Sequence, residues 1–387
     1  MYIYDIQSEG DSMKKKRTLK KRILWILLSV FAVLVLAFFA YNYAFGTDAV
    51  LSYIDETVSS VESTHSVKIT LDDDGFYSLS SEGDEDIKIL QLTDIHFSCS
   101  YVTYMLDCAA VDAVYALVKE TRPDLIVLTG DIISPIVYTG ATGNSELMAR
   151  AISALFAKME IPWIFVYGNH DDEGFLSKAE LSEYFAAQPF SLFLKGPDTI
   201  DGEGNSVIKV KNEDGTLRHA LFFLDSNGGS VMGYDNPHEN QIEWYKETVD
   251  RLRAAYGEFE SVLYQHIPPK QMQTLADAYE KGDENVEKLY GELVELNKRV
   301  AYGEDYGLYN ALLEKQTTKF VFFGHDHTNL AAFRDKNDGI VLSYSPSIDF
   351  STYPSTRFTS FQRGGTLVFL SKDGKARTEQ IYSDTLG

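Results

Sequence analysis

Residues 166–174 read Val-Tyr-Gly-Asn-His-Asp-Asp-Glu-Gly, "VYGNHDDEG". They end an apolar run, Trp163-Ile164-Phe165-Val166-Tyr167, with a glycine, an amide, an imidazole and carboxylates. The run itself, rich in aromatic and β-branched residues, reads as a buried strand. The polar cluster reads in two ways. Asn and Asp favour turns and Gly supplies a positive φ, so one such cluster is consistent with an ordinary turn.

The same event recurs at four other places. "IKILQLTDIH" ends with Asp94 and His96, and "DLIVLTGD" with Gly130 and Asp131. "SVLYQH" ends with His266, and "KFVFFGHDH" with His325 and His327. Five of the eight histidines sit at these strand ends. Five independent turns of this composition are improbable. Open α/β sheets build their sites beyond strand ends. Gathered at one edge, these carboxylates and imidazoles would be costly to bury uncompensated. Bound metal ions remove that cost and account for mixed oxygen and nitrogen donors.

The intervening sequence fits such sheets. "MLDCAAVDAVYALVKE" carries Leu106, Ala110, Val114 and Leu117 at helical spacing, and Pro123 stops it before the strand "LIVLT". "ELMARAISALFAKME" repeats the pattern before Pro162 and "WIFVY". "VKIT" and "FYSLS" flank the turn "LDDDG". "HALFFLD" is a further strand, "ENQIEWYKETVDRLRAAY" is a helix, and residues 270–318 read as mainly helical and charged. The tail after 339 is strand-rich. Strand–helix alternation of this kind implies an α/β core of sheet flanked by helices.

The 387 residues are 44% hydrophobic, enough for a large core, and carry a net charge of −22. The charge is unevenly spread. Residues 1–45 hold seven Lys/Arg against three Asp/Glu; the remainder holds 28 against 54. So acidic a body repels nucleic-acid backbones, and no nucleic-acid partner is expected. The basic block, Lys14–Arg17 and Lys20–Arg22, precedes 19 uncharged residues from Ile23 to Tyr41. As a helix at about 1.5 Å per residue they span roughly 28 Å, near the bilayer core of about 30 Å. Trp25, Tyr41 and Tyr43 suit the interfaces, and the positive-inside rule puts the basic end in the cytoplasm. The rival is a cleaved signal peptide. Against it stand the length of the apolar run and the lack of a clear small-x-small cleavage site before Thr47. The expected organisation is a basic cytoplasmic tail (1–22), a transmembrane signal-anchor (23–45), a polar stalk (46–65) and one domain (66–387) outside the cell membrane. Cys99 and Cys108, the only cysteines, either pair or sit apart as a loop and a buried helix residue.

The ordered set Asp94-x-His96, Gly130-Asp131, Gly168-Asn169-His170-Asp171, His266 and Gly324-His325-Asp326-His327 resembles the calcineurin-like metallophosphoesterases over roughly residues 85–350. "GPDTIDGEGN", "FFLDSN" and "GYD…QIEWY" resemble the branch of fungal and plant members named after purple acid phosphatases. The resemblance implies a four-layer αββα sandwich of two mixed sheets, here preceded by one transmembrane helix. It implies two divalent or trivalent ions, Mn, Fe or Zn. Asp94, His96, Asp131 and His327 would hold one; Asp131, Asn169, His266 and His325 would hold the other, with Asp131 shared. Asn169 would ligate through its amide oxygen, since its NH2 only donates. His170 would touch the phosphoryl group, and Asp171 would hold the His170 ring or cap a helix. Asp326 has no metal role. His65, His219 and His238 are expected at surfaces or edges. Phe350, Tyr353 and Tyr101 are pocket-lining candidates or loop aromatics.

Two departures narrow the expectation. Purple enzymes carry a tyrosine where this chain has Ser134. Protein Ser/Thr phosphatases carry an arginine soon after the Gly-Asp aspartate and use GNHE; here 132–138 hold no arginine and the motif is GNHD. The expected activity is hydrolysis of phosphomonoesters or phosphodiesters of small-molecule or lipid-linked substrates. The alternatives are a pyrophosphohydrolase acting on lipid-linked or nucleotide substrates, and a metal-stabilised ectodomain without turnover.

Overall fold

The structure is a computed structural model that describes residues 3–81, 85–136, 140–230, 233–352 and 363–383. Tyr353 lies outside them, as do the outermost residues of the expected tail and domain, 1–2 and 384–387.

The chain begins with a long helix, α1 (Ile3–Thr57), and a hairpin of β1 (Val67–Leu71) and β2 (Tyr77–Ser81). There follow β3 (Ile87–Leu92), α2 (Tyr104–Thr121), β4 (Leu125–Thr129), α3 (Ser145–Met159), β5 (Trp163–Val166) and α4 (Lys178–Ala186). Next come β6 (Ser206–Lys211), β7 (Leu217–Phe223), the short pair β8 (Gly229–Ser230) and β9 (Gly233–Tyr234), α5 (Glu239–Tyr256) and β10 (Glu260–Tyr264). The last part holds α6 (Gln271–Glu280), β11 (Val286–Glu292), α7 (Leu308–Lys315), β12 (Thr318–Phe323), β13 (Leu330–Asp335), β14 (Val341–Tyr344), β15 (Gly364–Leu370) and β16 (Ala376–Tyr382).

Two mixed sheets form the core. The larger has the order β1-β2-β6-β7-β10-β12-β14-β13-β11, the smaller β16-β15-β3-β4-β5. Alternate residues of each strand face opposite ways, and the buried clusters follow that alternation. Ile89, Val127 and Ile164 of the small sheet pack with Leu221, Val262 and Phe322 of the large one, between the sheets. Leu90, Ile126 and Phe165 face α1, α2, α3 and α4. Phe222, Leu263 and Val321 face α5, α6 and α7. Every residue of β4 is buried, as a parallel strand covered on both faces requires. Helix ends are set locally. Arg122 ends α2 in the left-handed region just before Pro123, and Asn144 caps α3 by accepting from Glu146 N–H.

Two expectations need correction. Residues 46–65 are no polar stalk: α1 runs unbroken to Thr57, and Val50, Ile54 and Val58, four apart, are buried against the small-sheet layer. The polar residues between them form the outer face of an amphipathic helix. Residues 270–318 are not mainly helical either, because β11 pairs antiparallel with β13 at the edge of the large sheet. An edge strand half open to solvent carries charge, which masked its strand character. Cys99 and Cys108 are both free and buried, in a loop and on α2. One described helix, α1, is long and apolar enough to cross a membrane.

Candidate metal centre

β3, β4 and β5 are parallel neighbours in the small sheet, and β10 and β12 are parallel neighbours in the large one. Parallel strands end at the same edge, so five polar strand ends meet where the sheets stack. Donor atoms of Asp94, His96, Asp131 and His327 all lie within 4.8 Å of one another, and so do those of Asp131, His266 and His325. Asp131 belongs to both groups. Asn169 Oδ1 stands 3.2 Å from His266 Nε2 and so joins the second.

The backbone bends sharply to present these side chains. Asp94 (φ 53°), His96 (55°), Asp131 (50°) and His325 (77°) all adopt the left-handed region. Each such residue costs on the order of 1–3 kcal/mol and persists only where its surroundings hold it. Gly168 permits a close approach: a Cβ there would lie 2.1 Å from Asp131 Oδ1.

Hydrogen bonds orient the imidazoles. His266 Nδ1–H donates to the Thr129 carbonyl at 2.7 Å, which turns Nε2 toward Asp131 Oδ2 at 3.1 Å. His327 Nδ1 pairs with Asp349 Oδ2 at 3.0 Å, and its Nε2 lies 3.0 Å from His96 Nε2. Two ring nitrogens facing each other can share only one proton. Asp94 Oδ2, His96 Nδ1 and Asp131 Oδ2 are buried without a hydrogen bond among the described residues; the approach of His266 to Asp131 lacks hydrogen-bond geometry. Carboxylate oxygens buried in this way among clustered imidazoles, a mix of hard and borderline donors, fit divalent cations.

Without a cation the charges compensate one another. Burial raises the Asp94 carboxyl to about 6 and lowers His96 to about 3, with His327 adding to the latter. Burial also holds His325 well below its ordinary value. Burial opposes charge on His266 too, but Asp131 outweighs it and raises the imidazole to about 9. Asp349 does the same for His327, raising it to about 10 against burial. Asp131 lies well below the carboxylate range, burial notwithstanding, because imidazoles surround it.

The remaining motif residues separate by environment. His170 is only half-buried; its backbone N–H donates to Asp131 Oδ1 at 2.8 Å and its Nδ1 pairs with Glu173 Oε2 at 2.7 Å. Asp171 neither holds that ring nor caps a helix. Its buried carboxylate accepts from the backbone N–H of Gly168, Asp131 and Ile133 at 2.7–3.0 Å, pinning the β4 and β5 ends together. Asp326 turns away from the cluster, accepting from Ala301 N–H, Asn329 Nδ2 and Tyr344 O–H. Tyr234 packs edge-on against His325, with ring centroids 4.2 Å apart. Glu173, Asp349 and Tyr234 were missed. Asp349 had a signal: "IVLSYSPSID" is another apolar strand with a carboxylate after its end.

The other three histidines stand away from the cluster. His65 pairs with Asp124, and His238 lies between Asp201 and Asp235 at the start of α5. His219 is not at a surface or edge: it is fully buried on β7, between β6 and β10, and burial lowers its pKa to about 4. Tyr101 is an exposed loop residue, and Phe350 stacks beneath the Arg363 guanidinium.

A family model described as calcineurin-like phosphoesterase matches residues 87–329, well over half of the chain and all five strand-end motifs. The chain belongs to the calcineurin-like phosphoesterase family. Within it the chain is 29% identical over 286 residues to Phosphatase DCR2 of Saccharomyces cerevisiae, covering 68% of this chain and 48% of that protein. It is 27% identical over 304 residues to Probable inactive purple acid phosphatase 29 of Arabidopsis thaliana, covering 69% and 73% respectively. The chain thus spans about half the length of the yeast relative. Among solved structures, a dimetal phosphatase from Danio rerio matches with a TM-score of 0.52 at 12% identity, over 78% of this chain and 97% of that one, a likeness of fold.

Proposed function

We propose that this chain is a membrane-anchored phosphoesterase that uses two metal ions, Mn, Fe or Zn, to hydrolyse phosphomonoesters or phosphodiesters. The observation that carries this reading is the pair of donor groups sharing one carboxylate, Asp131. Asp94, His96, Asp131 and His327 would hold one ion; Asp131, Asn169, His266 and His325 would hold the other. Bound there, the pair would supply positive charge for the phosphoryl oxygens and a water acidified to near neutral pH. The chain's own residues do the rest. Asp131 would be shared by both ions, and Asp171 keeps the Asp131 backbone in its bend. Glu173 occupies His170 Nδ1, which leaves Nε2 for the substrate. There it donates to a phosphoryl oxygen or returns a proton to the leaving oxygen.

The N-terminal organisation is part of the proposal. Residues 1–22 lie in the cytoplasm, 23–45 cross the cell membrane once, and the domain of 66–387 stands outside as an αββα sandwich. The rival of a metal-stabilised domain without turnover gains weight from the Arabidopsis relatives, whose names call them probably inactive. His170 favours the enzyme, since holding metal does not require it. A pyrophosphohydrolase would use the same residues and differ only in substrate.

The test is metal analysis and a hydrolysis screen of wild type and Asp131→Asn, with monoesters, diesters, nucleotides and lipid-linked diphosphates. Wild type should hold about two ions and turn over at least one class. Asp131→Asn should weaken both sites together. One ion per chain at saturation, or full activity in chelator, would sink the dinuclear reading.

A further inference from the structure

Helix α1 lies along the domain in a fixed direction. The Tyr41 ring sits 5.1 Å from Tyr101, and Asn42 bonds both Gly140 O and Val102 N–H. Thr47 donates to the Cys99 carbonyl, and further on Tyr53 donates to Asp112 and Thr64 to the Arg122 carbonyl. Residues 41–47 thus meet the loop before α2, Tyr53 meets its middle and Thr64 its C-terminal end, so the two segments run parallel. The contact is tight: a Cβ on Gly46 would lie 2.4 Å from Ser100 Cα. The apolar half of α1, 23–41, therefore leaves the domain at the edge where β3, β4 and β5 end. That is the edge of the metal centre.

The domain surface around this exit is itself apolar. Outside α1, the two most exposed large hydrophobic residues among those described are Met105 (73%) and Phe175 (74%). Tyr101 and Val102 are also more than half exposed. Tyr101 and Val102 follow His96 in the β3–α2 connection, and Met105 stands in the first turn of α2. Phe175 lies two residues past Glu173, and its N–H donates to the Gly143 carbonyl in the loop after β4. Single exposed hydrophobics are ordinary; four on the loops and first helical turn beside one helix exit are not. The acidic body excludes adsorption on anionic lipid by charge, so the seat is apolar and aromatic, at the depth where Tyr41 ends the span.

We propose that the metal-bearing edge of the small sheet rests on the bilayer that α1 enters, so that the centre takes phosphate esters whose alcohol is a membrane lipid. This rests on the anchor and phosphoesterase readings above. Rigid docking of residues 42–58 on the domain holds that edge at the surface, instead of letting the domain tumble on a tether. An ester in the same leaflet then reaches His170 without leaving the membrane.

The experiment uses the full chain in phosphatidylcholine vesicles. A fluorophore at Met105→Cys is compared with one at Asp214→Cys, which lies in the exposed β6–β7 turn at the opposite edge. Brominated lipid should quench the first and not the second, and aqueous iodide the reverse. Equal iodide quenching at both positions, with the chain bound to vesicles, would overturn the proposal. Failure to bind vesicles would overturn the anchor reading and this one with it. In a second arm, vesicle-borne diacylglycerol phosphate and soluble glycerol phosphate are offered to wild type and to a variant with Tyr101, Val102, Met105 and Phe175 each replaced by serine. The variant should lose at least about tenfold in kcat/KM on the lipid ester and keep its rate on the soluble one. Equal loss on both, or none, overturns the substrate class. Turnover of neither ester by wild type overturns the substrate class, the wider ester screen decides the phosphoesterase reading, and the quenching arm still decides the membrane seat.

Discussion

The metal centre holds two histidine–carboxylate pairs of the same design in different surroundings. On its floor, His327 Nδ1 meets Asp349 Oδ2 at 3.0 Å, with both side chains almost fully buried. At its mouth, His170 Nδ1 meets Glu173 Oε2 at 2.7 Å, with the histidine 24% and the glutamate 42% exposed. The floor carboxylate is held by further bonds from the Ser351 and Thr352 N–H groups. It fixes a ring whose Nε2 faces His96 Nε2 at 3.0 Å. The mouth carboxylate fixes a ring that faces open space. Under the function proposed above, the same bond serves metal affinity on the floor and turnover at the mouth, and burial divides the two.

The comparison breaks most visibly at His170 itself. His170→Ala should keep its metal content and thermal stability, since the ring lies outside both donor groups. Its kcat should fall by about 10²–10⁴-fold, the usual worth of one general acid or charge-stabilising group. The loss should shrink on activated aryl phosphates, whose leaving groups need no proton; equal losses would assign the ring to charge stabilisation alone. Full activity on every ester would reduce His170 to a turn residue. Loss of metal would move it from the mouth to the floor.

Asp349→Asn tests the floor. A carboxylate behind a metal-bound imidazole fixes ring orientation and raises basicity, and its removal typically costs 10–100-fold, roughly, in metal affinity. The asparagine can still accept from the two N–H groups, but the ion-free protein loses the carboxylate that pairs with the buried His327 imidazolium, so it should also melt below wild type. Calorimetric titration with Mn or Zn should show the weakened affinity. Unchanged metal affinity with lowered melting would make Asp349 a loop support only.

How far these pairs were legible depends on what positions them. The five strand ends were readable because apolar runs stop at His, Asp and Asn in a fixed order, and the αβ alternation carried the sheets. The partner of His327 was not, since Asp349 lies 22 residues on and only stacking β14 beside β12 brings it near. The partner of His170 was misread for a local reason. Three carboxylates follow that ring, and sequence proximity favoured Asp171, whereas the turn directs Asp171 inward onto three backbone N–H groups and Glu173 outward onto the ring. Helix α1 beyond residue 46 was hidden because a stripe of Val50, Ile54 and Val58 among polar residues reads as polar on average. His219 was hidden because a polar residue on an interior strand has no sequence mark of burial.

The smallest expected effect belongs to Glu173→Gln, and its size decides whether the comparison holds. Glutamine keeps an oxygen at the same reach, so His170 Nδ1–H retains an acceptor and the ring its tautomer. What is lost is one negative charge on a side chain open to solvent, where water screens the interaction with the ring. The expected fall in kcat is therefore less than about tenfold, with metal affinity unchanged. Glu173→Ala, which removes the acceptor as well, should lower kcat further than Glu173→Gln, still with both ions held. If the floor and mouth carboxylates are equivalent supports, the two substitutions should instead move the same quantity. Weakened metal binding in Glu173→Gln would show that, and the division of labour drawn from burial would fail. A loss as large as that of His170→Ala would show that charge on Glu173, and not ring placement, is what His170 needs.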